Sequence, residues 1–211
     1  MVDRQRPRYG AALKFLLWCG LMAAVVIPVA IAASSPLLAW RDPIYVAAGF
    51  AGVIAMALLL LQPLLVGGYL PGVSGLRGRR IHRWVGGGLL AAVVLHVAGL
   101  WLTSPPDVID ALLLRSPTPF SVWGVIALWA VFAAALLAAF RPRLRLSVPL
   151  WRLAHSALAM LIVVGSVIHA LQIDGTMGAV SKAILCVLVI AATGWVILDL
   201  RSWAVLRRNQ P

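Results

Sequence analysis

The chain has 211 residues, about the length of one domain, and 63% of them are hydrophobic, with a mean hydropathy of +0.99. That composition excludes a water-soluble globular protein and defines an integral membrane one. The formal net charge of +12 does not point to nucleic acid, because the 18 basic residues gather at the ends of apolar runs and form no soluble patch.

Six apolar runs, at about 11–33, 44–66, 82–103, 120–140, 149–172 and 180–200, are each long enough to cross some 30 Å of hydrocarbon as a helix. They predict an all-α, six-helix membrane bundle over 11–205, with a basic N-terminal segment at 1–10, a short tail at 206–211 and no soluble domain at either end. The first run also has features of a cleaved signal peptide, a basic start and the small residues Ala30-Ile31-Ala32-Ala33. Its apolar core is long for that purpose, and six spans fit the charge asymmetry. Pro28 and Pro63 predict kinks in the first two spans. Short segments rich in Pro, Gly and Ser separate the spans, among them Ser34-Ser35-Pro36, Pro71 to Gly75 and Ser116 to Pro119. The loop at 104–118, with Asp107, Asp110 and the apolar run Ala111 to Leu114, reads as a plain connector. A short amphipathic segment that helps shape an acceptor site is the alternative. Cys19 and Cys186 fall in opposite leaflets and are read as unpaired small apolar residues.

Arg4, Arg6, Arg8 and Lys14 precede the first span, and Arg77, Arg79, Arg80 and Arg83 lie between the second and third. Arg141, Arg143, Arg145 and Arg152 lie between the fourth and fifth, and Arg201, Arg207 and Arg208 follow the sixth. Fifteen basic residues on one side face three on the other, Arg41, Arg115 and Lys182. The positive-inside rule then puts both termini in the cytoplasm.

The four histidines fall as two pairs with one interval: His82 and His96 in the third span, His155 and His169 in the fifth, each 14 residues apart. Fourteen residues are about 21 Å of helix and fall roughly 40° short of four turns, so each pair shares a face. The third and fifth spans run in the same direction, which predicts two level cross-pairs, His82 with His155 near the cytoplasm and His96 with His169 further out. Ionisable groups at membrane depth are costly and usually functional. Zinc or copper sites want three or four protein ligands around one point, and no carboxylate or thiolate lies at either depth. Haem brings four nitrogens of its own and asks for two more, so bis-imidazole ligation of two haems fits the spacing. Arg79 and Arg152 each precede the cytoplasmic histidine by three residues, suited to haem propionates; plain interfacial positive charge is the other reading of them. Gly86, Gly87 and Gly88, and Gly165 with Ser166, imply close approach either by a helix backbone or by a flat macrocycle.

Arg79-Arg80-Ile81-His82 with a second histidine at 96, then Trp151-Arg152-Leu153-Ala154-His155 with a second at 169, resembles the ferric-reductase-like transmembrane family. That superfamily includes ferric reductases, NADPH oxidases and the haem-binding membrane subunit of the periplasmic methionine sulfoxide reductase system. Over about 44–200, the resemblance implies a six-helix bundle holding two b-type haems between the third and fifth helices, with His82 and His155 on the inner iron and His96 and His169 on the outer. It implies electron transfer from a cytoplasmic reductant to a periplasmic acceptor, by a multi-pass protein of the bacterial inner membrane. Many family members continue into a flavin and nicotinamide domain, whereas this chain stops about ten residues past its last span. The flavin therefore belongs to a separate cytoplasmic flavoprotein, and membrane quinol is the other donor. Ferric chelates, oxygen, a periplasmic redox protein and a molybdenum enzyme stay open as acceptors. The alternatives for function are the sulfoxide reductase subunit and a haem-free scaffold or assembly factor. A transporter is disfavoured, because no charged residue lies mid-span.

Overall fold

The computed structural model describes residues 10–73 and 75–208, with side chains as far as residue 199. The basic segment carrying Arg4, Arg6 and Arg8, the end of the tail, and the side chains of Arg201, Arg207 and Arg208 lie outside the described residues. The elements are α1 (Ala11–Ala33), a 3-10 turn (Pro36–Leu38), α2 (Pro43–Gly67), α3 (Gly75–Thr103), α4 (Pro105–Leu112), α5 (Pro119–Ala139), α6 (Arg141–Leu144), α7 (Val148–Gln172) and α8 (Ala179–Arg208). Six of them, α1, α2, α3, α5, α7 and α8, are long and apolar enough to cross a membrane, and the chain is an integral multi-pass membrane protein.

Local chemistry sets the helix starts. Asp42 accepts hydrogen bonds from the backbone N–H groups of Ile44 and Tyr45 at 2.7 and 3.2 Å, and Pro43 fills the first helical position of α2. Ser147 caps α7 in the same way, with a proline in its first turn. Gly68 ends α2 at φ +71°, a left-handed conformation that glycine adopts without steric cost.

Three outcomes differ from the sequence reading or refine it. Helix α3 begins at Gly75 and not near 82, so Arg77, Arg79 and Arg80 occupy its first turns. Arginine is a good helix former with a long apolar stem, and the helix continues through the charged segment. Helices α1 and α2 continue past Pro28 and Pro63, each of which removes one backbone hydrogen bond without ending the helix. The loop read as a plain connector contains the amphipathic helix α4, started by Ser104, whose hydroxyl bonds the Asp107 carboxylate, and by Pro105. Asp107 in the first turn complements the helix dipole, and Val108 is buried.

Packing divides the bundle into two hairpins, α2 with α3 and α5 with α7, and α8 closes the far side against α2 and α7. Glycines bring the helices together. A Cβ on Gly99 would lie 2.7 Å from the Ala48 methyl group, one on Gly78 2.7 Å from the Leu65 carbonyl oxygen, and one on Gly165 3.0 Å from the Trp123 carbonyl oxygen. The Gly86–Gly88 run has another character: Gly86 and Gly88 make only ordinary contact with Gln62 and Leu58, and Gly87 meets nothing within 4 Å. Helix packing accounts for Gly165 and leaves the triple glycine open-faced. Val53, Met56 and Leu60 of α2, Ile162 and Val163 of α7, and Leu185 and Val189 of α8 fill the core with Cys186. Cys19 is exposed, and both cysteines are unpaired.

Candidate functional site

Helices α3 and α7 barely approach each other, because each is packed on its own hairpin partner. All four histidines point into the space between them and are half-buried. His82 faces His155 with ring centroids 6.3 Å apart, and His96 faces His169 at 6.5 Å. The rings of each pair are nearly perpendicular, at 77° and 79°. Equal intervals on parallel helices thus produce two level pairs, about 21 Å apart along the helix axis.

Three of the four rings are held by backbone. His96 Nδ1 lies 2.8 Å from the Ala48 carbonyl oxygen of α2, His169 Nδ1 2.8 Å from that of Phe120 in α5, and His82 Nδ1 3.3 Å from that of Gln62 in α2. A carbonyl only accepts, so Nδ1 carries the proton in each and Nε2 keeps its lone pair for a ligand. Glycines make room for two of the rings. A Cβ on Gly52 would meet His96 Nδ1 at 3.0 Å, and one on Gly124 would meet His169 Nδ1 at 2.7 Å. The Phe120 ring also packs edge-on to His169, at 5.7 Å.

His155 is held differently. Its ring stacks on the Trp151 indole, centroids 5.1 Å apart and planes within 7°. The Arg141 guanidinium carbon sits 4.3 Å from the indole centroid. Among the described residues, four buried side-chain polar atoms lack a hydrogen-bond partner, and three of them, Gln62 Nε2, Trp151 Nε1 and His155 Nδ1, belong to this level. Arg79 and Arg152 are exposed one turn before His82 and His155, and neither makes a hydrogen bond or ion pair with another described residue.

The residues fit a haem at each level. Two imidazoles bonded to one metal from opposite sides, at about 2 Å each, have ring centroids about 6 Å apart, which is the separation found. No third histidine, cysteine or carboxylate joins either pair among the described residues, so a bare ion would be poorly held. Unpartnered buried N–H groups cost free energy unless an acceptor arrives. Those of Gln62 and Trp151, with Arg79 and Arg152 nearby, suit the carboxylates of a porphyrin.

The structure brings together all four sequence-predicted histidines. Sequence reading missed Gln62 and the carbonyls of Ala48 and Phe120, which no side-chain pattern reveals. It also missed Gly52 and Gly124, although Gly124 is the lone glycine of α5 and stands out in that span.

A family model described as ferric reductase like transmembrane component matches residues 48–166, more than half of the chain. The match takes in His82, His96 and His155 and ends three residues before His169. Neither the curated proteins nor the solved structures contain a match to this chain.

Proposed function

The chain belongs to the ferric-reductase-like transmembrane family, a membrane electron-transfer component, and we propose that it carries electrons through the bilayer on two b-type haems, from a cytoplasmic donor to an acceptor on the periplasmic side. The observation that carries this reading is the pair of stacked His–His gaps, with ring centroids 6.3 and 6.5 Å apart, in which three of the four rings turn Nδ1 to a backbone carbonyl and so would leave Nε2 for a ligand. Haem b supplies reversible one-electron chemistry when bound. With two histidines to hold each haem, no coordination site would be left for oxygen or a substrate, and transfer would be outer-sphere. Ala48, Gln62 and Phe120 hold the rings in orientation through their carbonyls. Arg79 and Arg152, with Gln62 and Trp151, would hold the propionates at the His82–His155 level.

The basic ends of α3 and α7, with α6 between them in sequence, form the cytoplasmic face by the positive-inside rule. An acidic flavoprotein is attracted there, and membrane quinol is the other donor. Electrons moving outward from a negative interior gain about 2.3 kcal/mol per 100 mV. The deciding experiment is a dithionite-reduced minus oxidised visible spectrum of the purified protein. Two b-type haems per chain are expected, and a protein that takes up none overturns the reading in favour of a scaffold. Reduction by flavoprotein donors is expected to slow as salt rises; a rate indifferent to ionic strength removes the electrostatic docking.

A further inference from the structure

The hydrogen bonds behind the four rings are unequal, and the inequality follows the level. At the outer level both Nδ1–H groups are held by carbonyl oxygens at 2.8 Å, a strong bond. At the inner level one is held at 3.3 Å, beyond the usual range, and the other is buried with no acceptor. An imidazole whose Nδ1–H is drawn to a carbonyl becomes a more basic, more strongly donating ligand through Nε2. Stronger donation favours the oxidised iron and lowers its reduction potential.

Resting on the electron-transfer reading above, we propose that Ala48 and Phe120, through their carbonyls, make His96–His169 the low-potential haem site, and that the weakly held His82–His155 pair is the high-potential one. Local charge acts in the same direction. Arg79 and Arg152 stand one turn from the inner rings, Arg141 lies over the indole stacked on His155, and positive charge favours the reduced, less positive state. Gly52 and Gly124 belong to the same device, since only a residue without Cβ lets each outer ring sit close enough to reach its carbonyl. A chain of this polarity holds reducing equivalents at the donor end and relies on the membrane voltage, or on their removal by the acceptor, to draw them outward.

The test is an equilibrium redox titration of the haem-loaded protein, followed at the visible bands. Two one-electron transitions are expected in the wild type. His96→Ala is expected to keep the higher-potential transition and His155→Ala the lower; the reverse order, or coincident potentials, overturns the proposal. Gly52→Ala serves where a ligand variant does not fold. Its Cβ would press on His96 Nδ1 at 3.0 Å and weaken the bond to Ala48. The lower transition is then expected to move up while the higher stays, and an unmoved lower transition overturns the proposal. A wild-type protein without haem would fail earlier and differently, by removing the electron-transfer reading itself.

Discussion

The hairpins α2–α3 and α5–α7 solve one problem twice, and they agree at one end of the bundle while parting at the other. At the outer end the solutions coincide. A carbonyl near the start of the first helix, Ala48 or Phe120, accepts a hydrogen bond from the histidine Nδ1–H, and a glycine four residues on, Gly52 or Gly124, clears space for the ring. At the inner end α2 offers a carbonyl again 14 residues later, that of Gln62 on His82, but at 3.3 Å and with Val66 in place of the glycine. The same step in α5 leads to Ala134, which makes no hydrogen bond to His155; α5 ends soon after, at Ala139, and α7 steadies His155 with its own Trp151. The outer pair is therefore fixed by both hairpins alike. The inner pair is held loosely, by one long bond to His82 and by stacking on His155, at the level where donor and cofactor carboxylates would meet it.

Removing a ligand is the largest perturbation available. His169→Ala is expected to lose the outer haem and His155→Ala the inner, each halving the haem content measured as the pyridine haemochrome, with the double variant haem-free. Unchanged content in both single variants would refute the ligand assignment. If the inner pair is the less firmly held, haem at that level also leaves first when wild-type protein is exposed to excess apo-globin as a scavenger. Equal release rates would erase the distinction between the two ends.

The hairpin seams differ in tightness, and a methyl group measures it. Gly78→Ala presses a Cβ on the Leu65 carbonyl at 2.7 Å, where backbone has to move, and a cost of about 1–3 kcal/mol is expected. Gly165→Ala meets the Trp123 carbonyl at 3.0 Å and is expected to cost less. Gly87→Ala meets nothing and gains up to about 1 kcal/mol from helix propensity. Thermal unfolding in one detergent ranks the three; a Gly87 variant as damaging as Gly78 would mean that the glycine face is not open in the folded protein.

The span count, the faces and the pairing of the histidines were legible in the sequence because each rests on helical period and hydrocarbon thickness, which leave little freedom. The start of α3 was not, since a charged stretch ends a hydropathy window without ending a helix. Helix α4 was legible only as the second choice for its loop: eight residues are too few for a periodic signal, although Ser104, Pro105 and Asp107 carry the chemistry of a helix start. The supports of the histidine rings stayed out of sight for another reason. Every helical residue has a carbonyl, and whether that of Ala48 or of Ala134 reaches a ring depends on the rotation of one helix against its neighbour.

The smallest expected effect falls on the side chain that replaces a carbonyl in α7. Stacking of the kind Trp151 makes on His155 contributes about 0.5–1.5 kcal/mol beyond simple burial, and the Arg141 guanidinium adds about 0.5–1 kcal/mol at an exposed site. Trp151→Phe keeps a flat ring against the imidazole and removes the indole N–H; Trp151→Leu removes both. If stacking steadies His155, inner-haem retention against the scavenger falls several-fold in the leucine variant and hardly at all in phenylalanine. If the N–H is what the cofactor's carboxylate needs, the two variants lose retention alike, and Arg141→Ala, which leaves the indole in place, loses little. Outer-haem retention should stay constant across all three, because nothing in the α2–α3 seam or in the Phe120–His169 contact involves Trp151.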